Sequence, residues 1–364
     1  MTEQREIFGI DRKKAIVTGI VAFALVAAAV AAIGQITSFH QMLRALERAD
    51  KAWFPICLGG ELLAYAGYIV AYRDVARVDG GPCFSLWTAT RIVAIGFGAF
   101  VAGSSAGTLG LDFWALHRAG EQPHVAARRV LALNTVEWMV LAIFACLAAA
   151  VVAAGRASAP LPMELAWLVV VPVCIVAALW VSSPARAERL SSLPREDVEL
   201  ERDPRTWPRW LWHAGRAGLS DAIGGVVIVR HLLARPRRNW GALLGYPVYW
   251  GGDILTLYAA LRAFDVHPSV AALVLAYTTA YVVTALPLPA GGTGGIEAGV
   301  AFALNAVGIP LAQALLATLV YRVFTLWLPI VPATLALTQV RALDDELPQS
   351  ERSSGELEAH ASIR

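Results

Sequence analysis

Charge is scarce in this chain: Asp, Glu, Lys and Arg together make up 16% of its 364 residues, with a formal net charge of +2. It lacks the basic surplus and aromatic-basic interleaving of a nucleic-acid-binding surface, which excludes nucleic acid as a partner. Cysteine is equally sparse. Cys57, Cys83, Cys146 and Cys174 lie scattered through apolar segments, without the pairing of a zinc site or a disulfide framework, and read as small core residues. His40, His117, His124, His213, His231 and His267 fall near segment ends or in loops without metal-ligand spacing. No nucleotide-binding loop, zinc motif or Ser-His-Asp order is present, so no metal and no cofactor is expected, and a soluble catalytic domain has no room.

What the chain has in quantity is apolar sequence, 57% of it, gathered in blocks near the length a helix needs to cross hydrocarbon. Clear blocks run from Ala15 to Ile33, Trp53 to Tyr72, Val130 to Ala154, Leu165 to Val181, Ala242 to Leu261 and Leu311 to Val340. Two others are interrupted. Ser85 to Val101 runs into Ala102-Gly103-Ser104-Ser105-Ala106-Gly107-Thr108, and Pro268 to Leu286 runs into Pro287-Leu288-Pro289-Ala290-Gly291-Gly292-Thr293-Gly294-Gly295. Backbone broken at membrane depth is tolerated only where protein or a wet cavity satisfies its polar groups. Arg5, Arg12, Lys13 and Lys14 precede a first block too long for a typical signal-peptide core, which reads as an uncleaved span.

The chain also echoes itself. Gly107-Thr108-Leu109-Gly110-Leu111-Asp112 returns 185 residues later as Gly292-Thr293-Gly294-Gly295-Ile296-Glu297. Upstream, Gly59-Gly60-Glu61-Leu62-Leu63 returns 192 residues later as Gly251-Gly252-Asp253-Ile254-Leu255. Two echoes in one order at nearly one offset, each keeping a carboxylate in register, point to duplication rather than chance.

Charge placement bears on topology. If every block crossed the membrane from an inside N-terminus, the eleven arginines between Arg186 and Arg238 would lie outside, against the positive-inside tendency. Treating the interrupted segments as re-entrant hairpins brings the N-terminus, Arg73, Arg77, Arg118, Arg128, Arg129, the Arg-rich loop and the tail to the cytoplasmic side. The expected fold is therefore an all-α polytopic membrane protein of about six full spans and two re-entrant broken-helix hairpins, in two inverted-topology repeats. Eight full spans with the N-terminus outside is the alternative. The expected divisions are a cytoplasmic N-terminus (1–14), a first repeat with a connecting span (15–182), a cytoplasmic Arg-rich loop (183–216), a second repeat (217–340) and a disordered cytoplasmic tail (341–364). Phe39 to Leu46 and Ala217 to Leu233 mix apolar and basic residues and suit helices lying at the interface.

Carboxylates inside spans are costly and mark polar interiors. Asp112 and Glu297 each follow a glycine-rich turn, where they either cap the following helix or bind a ligand. Gly107, Thr108, Gly110, Gly292, Thr293 and Gly295 would offer backbone N–H groups and hydroxyls to an anionic headgroup at the same places. Glu61 and Asp253 sit in mid-span beside paired glycines, as a structural hydrogen bond or as a proton or headgroup contact. Arg322 needs a partner in hydrocarbon, and Glu297 is the first candidate. Arg91 either serves the first hairpin similarly or reaches to the interface. Glu137 has no counterpart in the second half and reads as structural.

From Leu286 through Glu297, on to Gly308-Ile309-Pro310, Tyr321-Arg322 and Pro329, the sequence resembles the lysylphosphatidylglycerol synthase transmembrane family, also described as flippase-like. The likeness covers Ala15 to Val340, with Gly107 to Asp112, Arg118 and Gly120 resembling the family's first-half turn. The second turn departs from the family's Pro-Gly-Gly-Leu-Gly in reading Leu-Pro-Ala-Gly-Gly, and the first lacks proline. The resemblance implies a multi-pass protein of the cytoplasmic (inner) membrane that translocates a membrane lipid, whether anionic, aminoacylated or polyprenyl-phosphate-linked, without the family's soluble aminoacyltransferase domain. An integral membrane transferase acting on a lipid-linked substrate is the rival expectation, and a non-transporting assembly partner the third.

Overall fold

A computed structural model of the chain describes residues 47, 49–183, 186, 207–285 and 294–347. The first expected span, Ala15 to Ile33, and the interfacial stretch Phe39 to Leu46 lie outside these residues. Among the described residues ten helices follow in order: α1 (Phe54–Ala76), α2 (Leu86–Arg118), α3 (Pro123–Ala153), α4 (Leu161–Val181), α5 (Trp207–Ala234), α6 (Trp240–Arg262), α7 (Val270–Tyr281), α8 (Gly295–Ala306), α9 (Leu311–Arg322) and α10 (Leu328–Leu337). An eleventh, α11, covers residues 340–347. Among the described residues four helical stretches, Lys51–Ala76, Pro123–Ala153, Leu161–Val181 and Leu311–Leu337, are long and apolar enough to cross a membrane. Together with the shorter apolar helices they make this a polytopic membrane protein. Large apolar side chains such as Leu62, Leu147, Val176 and Leu335 point outward, more than 60% exposed, where hydrocarbon is their natural neighbour.

The centre of the molecule is the pair α1 and α6. A Cβ added to Gly60 would stand 2.7 Å from the carbonyl oxygen of Gly252, and one added to Gly67 would stand 2.5 Å from that of Gly245. Partners that descend in α6 as they rise in α1 make the helices antiparallel, and glycine at the crossing lets the backbones meet. Thr256 Oγ1 donates to Cys57 O at 3.1 Å, and the amide of Ala242 donates to Asp74 Oδ2 at 3.1 Å. Contact thus runs from residue 57 to residue 74, roughly 26 Å of helix. Asp74 also supplies an acceptor for the first turn of α6, where free amides and the positive end of the helix dipole favour a carboxylate.

α6 is tied in turn to α3, with Tyr246 Oη donating to Leu133 O (3.2 Å) and Trp250 Nε1 to Glu137 O (2.9 Å). Both rings are completely buried, and their polar ends find carbonyls instead of being left unmatched.

α2 is assigned as helix throughout but does not run straight. Thr108 Oγ1 donates to Gly96 O at 3.3 Å, and a Cβ on Gly107 would collide with the carbonyl of Ala99. Twelve residues of straight helix would separate Gly96 from Thr108 by roughly 18 Å, so the chain reverses between Ala99 and Gly107 and its two arms lie side by side. The open glycine turn expected at Gly107 to Asp112 is not there: those residues are helical. Gly107 instead allows the close approach of the arms.

In the second half, α7 passes through a 3-10 turn (Val282–Ala285) and packs against α8. Residues 286–293 between them lie outside the described set. α9 continues through a π-helical turn (Val323–Trp327) into α10. Two helices run across the expected divisions. α5 begins at Trp207, within the stretch expected as loop. Residues 341–347, expected as the start of a disordered tail, belong to α11, whose Leu343 and Leu347 are completely buried.

Candidate functional site

A cavity of about 180 Å³ opens between α1, both arms of α2, α3, α6, α7 and the π-helical turn after α9. Among the described residues its charged lining comprises Glu61, Asp112, Glu137 and Asp253 with one cation, Arg322, and Tyr65, Tyr68, Tyr249, Tyr281 and Tyr321 stand among them. Each carboxylate comes from a different helix.

Glu61 and Asp253 enter from the facing helices α1 and α6, each directly after the glycine that brings the two backbones together. Asp253 Oδ2 accepts hydrogen bonds from Tyr277 Oη and, at 3.1 Å, from Tyr321 Oη. Asp253 Oδ1 and Glu61 Oε2 are buried and meet no partner among the described residues. Asp112 comes from the second arm of α2, and Glu137 from α3 one turn beyond Asn134.

Arg322 shows how its charge is carried at membrane depth. Its Nε lies 2.7 Å from Glu297 Oε1, with side chains 7% and 11% exposed. The other oxygen of Glu297 accepts from the amide of Gly294 at 2.5 Å. Glu297 stands in the first turn of α8, so it caps that helix and neutralises Arg322 at once. The pairing anticipated between these two residues is present. Arg322 Nη2 is left buried without a partner among the described residues.

The structure gathers Thr108, Asp112, Glu61, Asp253 and Arg322 on one cavity, with Glu297 behind Arg322. Gly107 lies at the contact between the arms of α2, and Gly295 opens α8. Gly110 is exposed, with nothing within 4 Å of where its side chain would be, and does not line the cavity. Asp112 lies inside α2 rather than in the first turn after an open loop. Gly292 and Thr293 lie outside the described residues. Arg91 pairs with Glu346 of α11, not with the carboxylate of its own hairpin.

Glu137 and the tyrosines are additions. Glu137 has no echo in the second half, although Asn134, Glu137 and Trp138 share one face of α3 and line the cavity together. The five tyrosines come from four helices, Tyr65 and Tyr68 both from α1, and read individually as interface or core aromatics.

The arrangement suits a cation. Carboxylates outnumber the one guanidinium, which already has Glu297, and tyrosine ring faces add to the attraction for an ammonium group. The family described as the lysylphosphatidylglycerol synthase TM region matches residues 19–333 of the chain. No curated protein matches it.

Proposed function

The chain belongs to the lysylphosphatidylglycerol synthase transmembrane-region family, and on that premise we propose that it moves a lipid with an amine-bearing, cationic headgroup across the cytoplasmic membrane. One observation carries this reading: a tyrosine-lined cavity with Glu61, Asp112, Glu137 and Asp253 in its wall and, among the described residues, one arginine, which is paired with Glu297. Of the anionic, aminoacylated and polyprenyl-phosphate lipids that the resemblance admits, the aminoacylated class meets this charge pattern best. The cavity would take the ammonium end of a headgroup, and the acyl chains would stay in the bilayer.

In this reading the chain crosses the membrane about six times, adds two re-entrant hairpins and keeps both termini in the cytoplasm. The two halves are inverted repeats. The α1 and α6 contact supports the repeat. At the offset of 192 residues, Gly60 corresponds to Gly252 and Ala64 to Thr256. A Cβ on Gly60 meets Thr256 Oγ1 at 2.6 Å, while one on Gly252 meets the Ala64 amide at 2.7 Å. Such reciprocity is what a two-fold axis between the copies requires. The reversal of α2 supports the first hairpin. Rocking of one repeat against the other about this contact would open the cavity to each side in turn.

The test is transport in proteoliposomes, using fluorescent lysyl-phosphatidylglycerol and phosphatidylglycerol whose leaflet is read by a membrane-impermeant quencher. The aminoacylated reporter should cross well ahead of its parent, and Glu61→Gln or Asp253→Asn should stop it. If neither reporter moves, the proposal fails. Recovery of a covalently altered lipid would favour a transferase instead.

A further inference from the structure

If the cavity binds a cationic headgroup, its carboxylates need another countercharge whenever the headgroup is absent. Glu61 and Asp253 are 7% and 5% exposed, and each has one oxygen that meets no partner among the described residues. They stand on facing helices beside the Gly60 and Gly252 contact and line the same space.

The groups facing them supply little positive charge. From α7 and α9, Tyr277 and Tyr321 give hydroxyls to Asp253 Oδ2. Tyr65 of α1, Tyr249 of α6 and Tyr281 of α7 complete the near wall, while Asp112 of α2 and Glu137 of α3 add further carboxylates. Arg322 lines the space too; its Nε is engaged by Glu297 of α8, and its Nη2 meets no partner among the described residues. Buried carboxylates sharing one site do not all remain ionised. A proton is the smallest countercharge able to enter, and intramembrane acids in this setting act as proton relays.

We propose that Glu61 and Asp253 form a proton-binding dyad, and that a proton held there and the cationic headgroup replace one another. When the ammonium enters, the proton leaves a carboxyl oxygen for water and the charge in the cavity is unchanged. On the return leg the headgroup departs and a proton is taken up, so a proton gradient can drive the lipid. The exchange rests on the headgroup reading; the proton site does not.

Infrared difference spectra of the purified protein in phosphatidylcholine nanodiscs, stepped from alkaline to acid, read the carbonyl stretch of a protonated buried carboxyl. The band should be present in the native protein and lost in both Asp253→Asn and Glu61→Gln. It should persist in Asp265→Asn, since that side chain is 97% exposed. Adding dihexanoyl lysyl-phosphatidylglycerol in weak buffer should release about one proton per chain, because a coupled pair titrates as a unit; dihexanoyl phosphatidylglycerol should release none. A band unchanged in variants that keep native helical content and elution overturns the dyad. Binding of the amine lipid without proton release overturns the exchange. Failure to bind the amine lipid while the band behaves as expected supports the proton site but sinks the headgroup reading, and the exchange with it.

Discussion

Gly252 packs against Gly60 so closely that a Cβ on Gly252 would stand 2.5 Å from Gly60 O, while a Cβ on neighbouring Gly59 would meet nothing within 4 Å. The paired glycines of each echo therefore have different duties. The second holds the helices in contact; the first faces outward.

Gly252→Ala should separate α1 from α6, because the obstacle is backbone that cannot rotate away. Overpacking of this kind costs about 1–3 kcal/mol. Gly59→Ala should be neutral or stabilise by about 0.5–1 kcal/mol, since alanine loses less entropy in a helix. Thermal unfolding in one detergent compares them. Equal midpoints for the two variants would remove the glycine crossing from the account.

Apolar helices among the described residues were legible because each is a self-contained apolar block of helical length. Trp53 to Tyr72 became Phe54–Ala76, and Leu165 to Val181 became Leu161–Val181. The partner of Arg322 was legible because a lone cation at membrane depth has few carboxylates to choose from. What stayed hidden depends on distant packing. Arg91 meets Glu346 across 255 residues, and the glycine stretch near Gly107 signals both an open turn and a close crossing in the same letters. The apolar face of α11 is Val340, Leu343 and Leu347, two turns of helix and too short a pattern to read as a docked helix.

Glu297→Gln should destabilise the protein by about 3–5 kcal/mol, because it leaves Arg322 buried without its countercharge. The double change Glu297→Gln with Arg322→Met should recover much of that loss. Guanidine-free unfolding in a graded anionic detergent measures both. If the single variant unfolds like the native protein, Arg322 draws its compensation from elsewhere in the cavity.

Gly294 has a φ of +86° directly before α8, and its amide donates to Glu297. A side chain there would meet nothing within 4 Å, so any cost of Gly294→Ala is conformational rather than steric. The strain should amount to about 1–3 kcal/mol. Gly295→Ala, one residue on and helical, should be silent by the same thermal assay. A silent Gly294→Ala would mean that the cap of α8 reforms with an ordinary backbone.

α11 holds both arms of α2, through Glu346 on Arg91 and Asp344 on Arg118. Burial works against ionisation of Glu346, but the hydroxyl of Thr88 and the guanidinium of Arg91 outweigh it and hold the carboxyl below the usual glutamate range. A carboxyl whose folded value is lowered contributes stability that is complete above its unfolded value and is lost as pH falls through the folded one. Because the Glu346 side chain is 39% exposed, screening limits the contribution to below about 1 kcal/mol. Hydrogen exchange in residues 340–347, corrected for the intrinsic rate, should therefore rise modestly as the solution is acidified below the ordinary glutamate range. Glu346→Gln should exchange faster at neutral pH and lose that part of the acid response. An acid response identical in the native protein and in Glu346→Gln would show that another group governs how α11 is held.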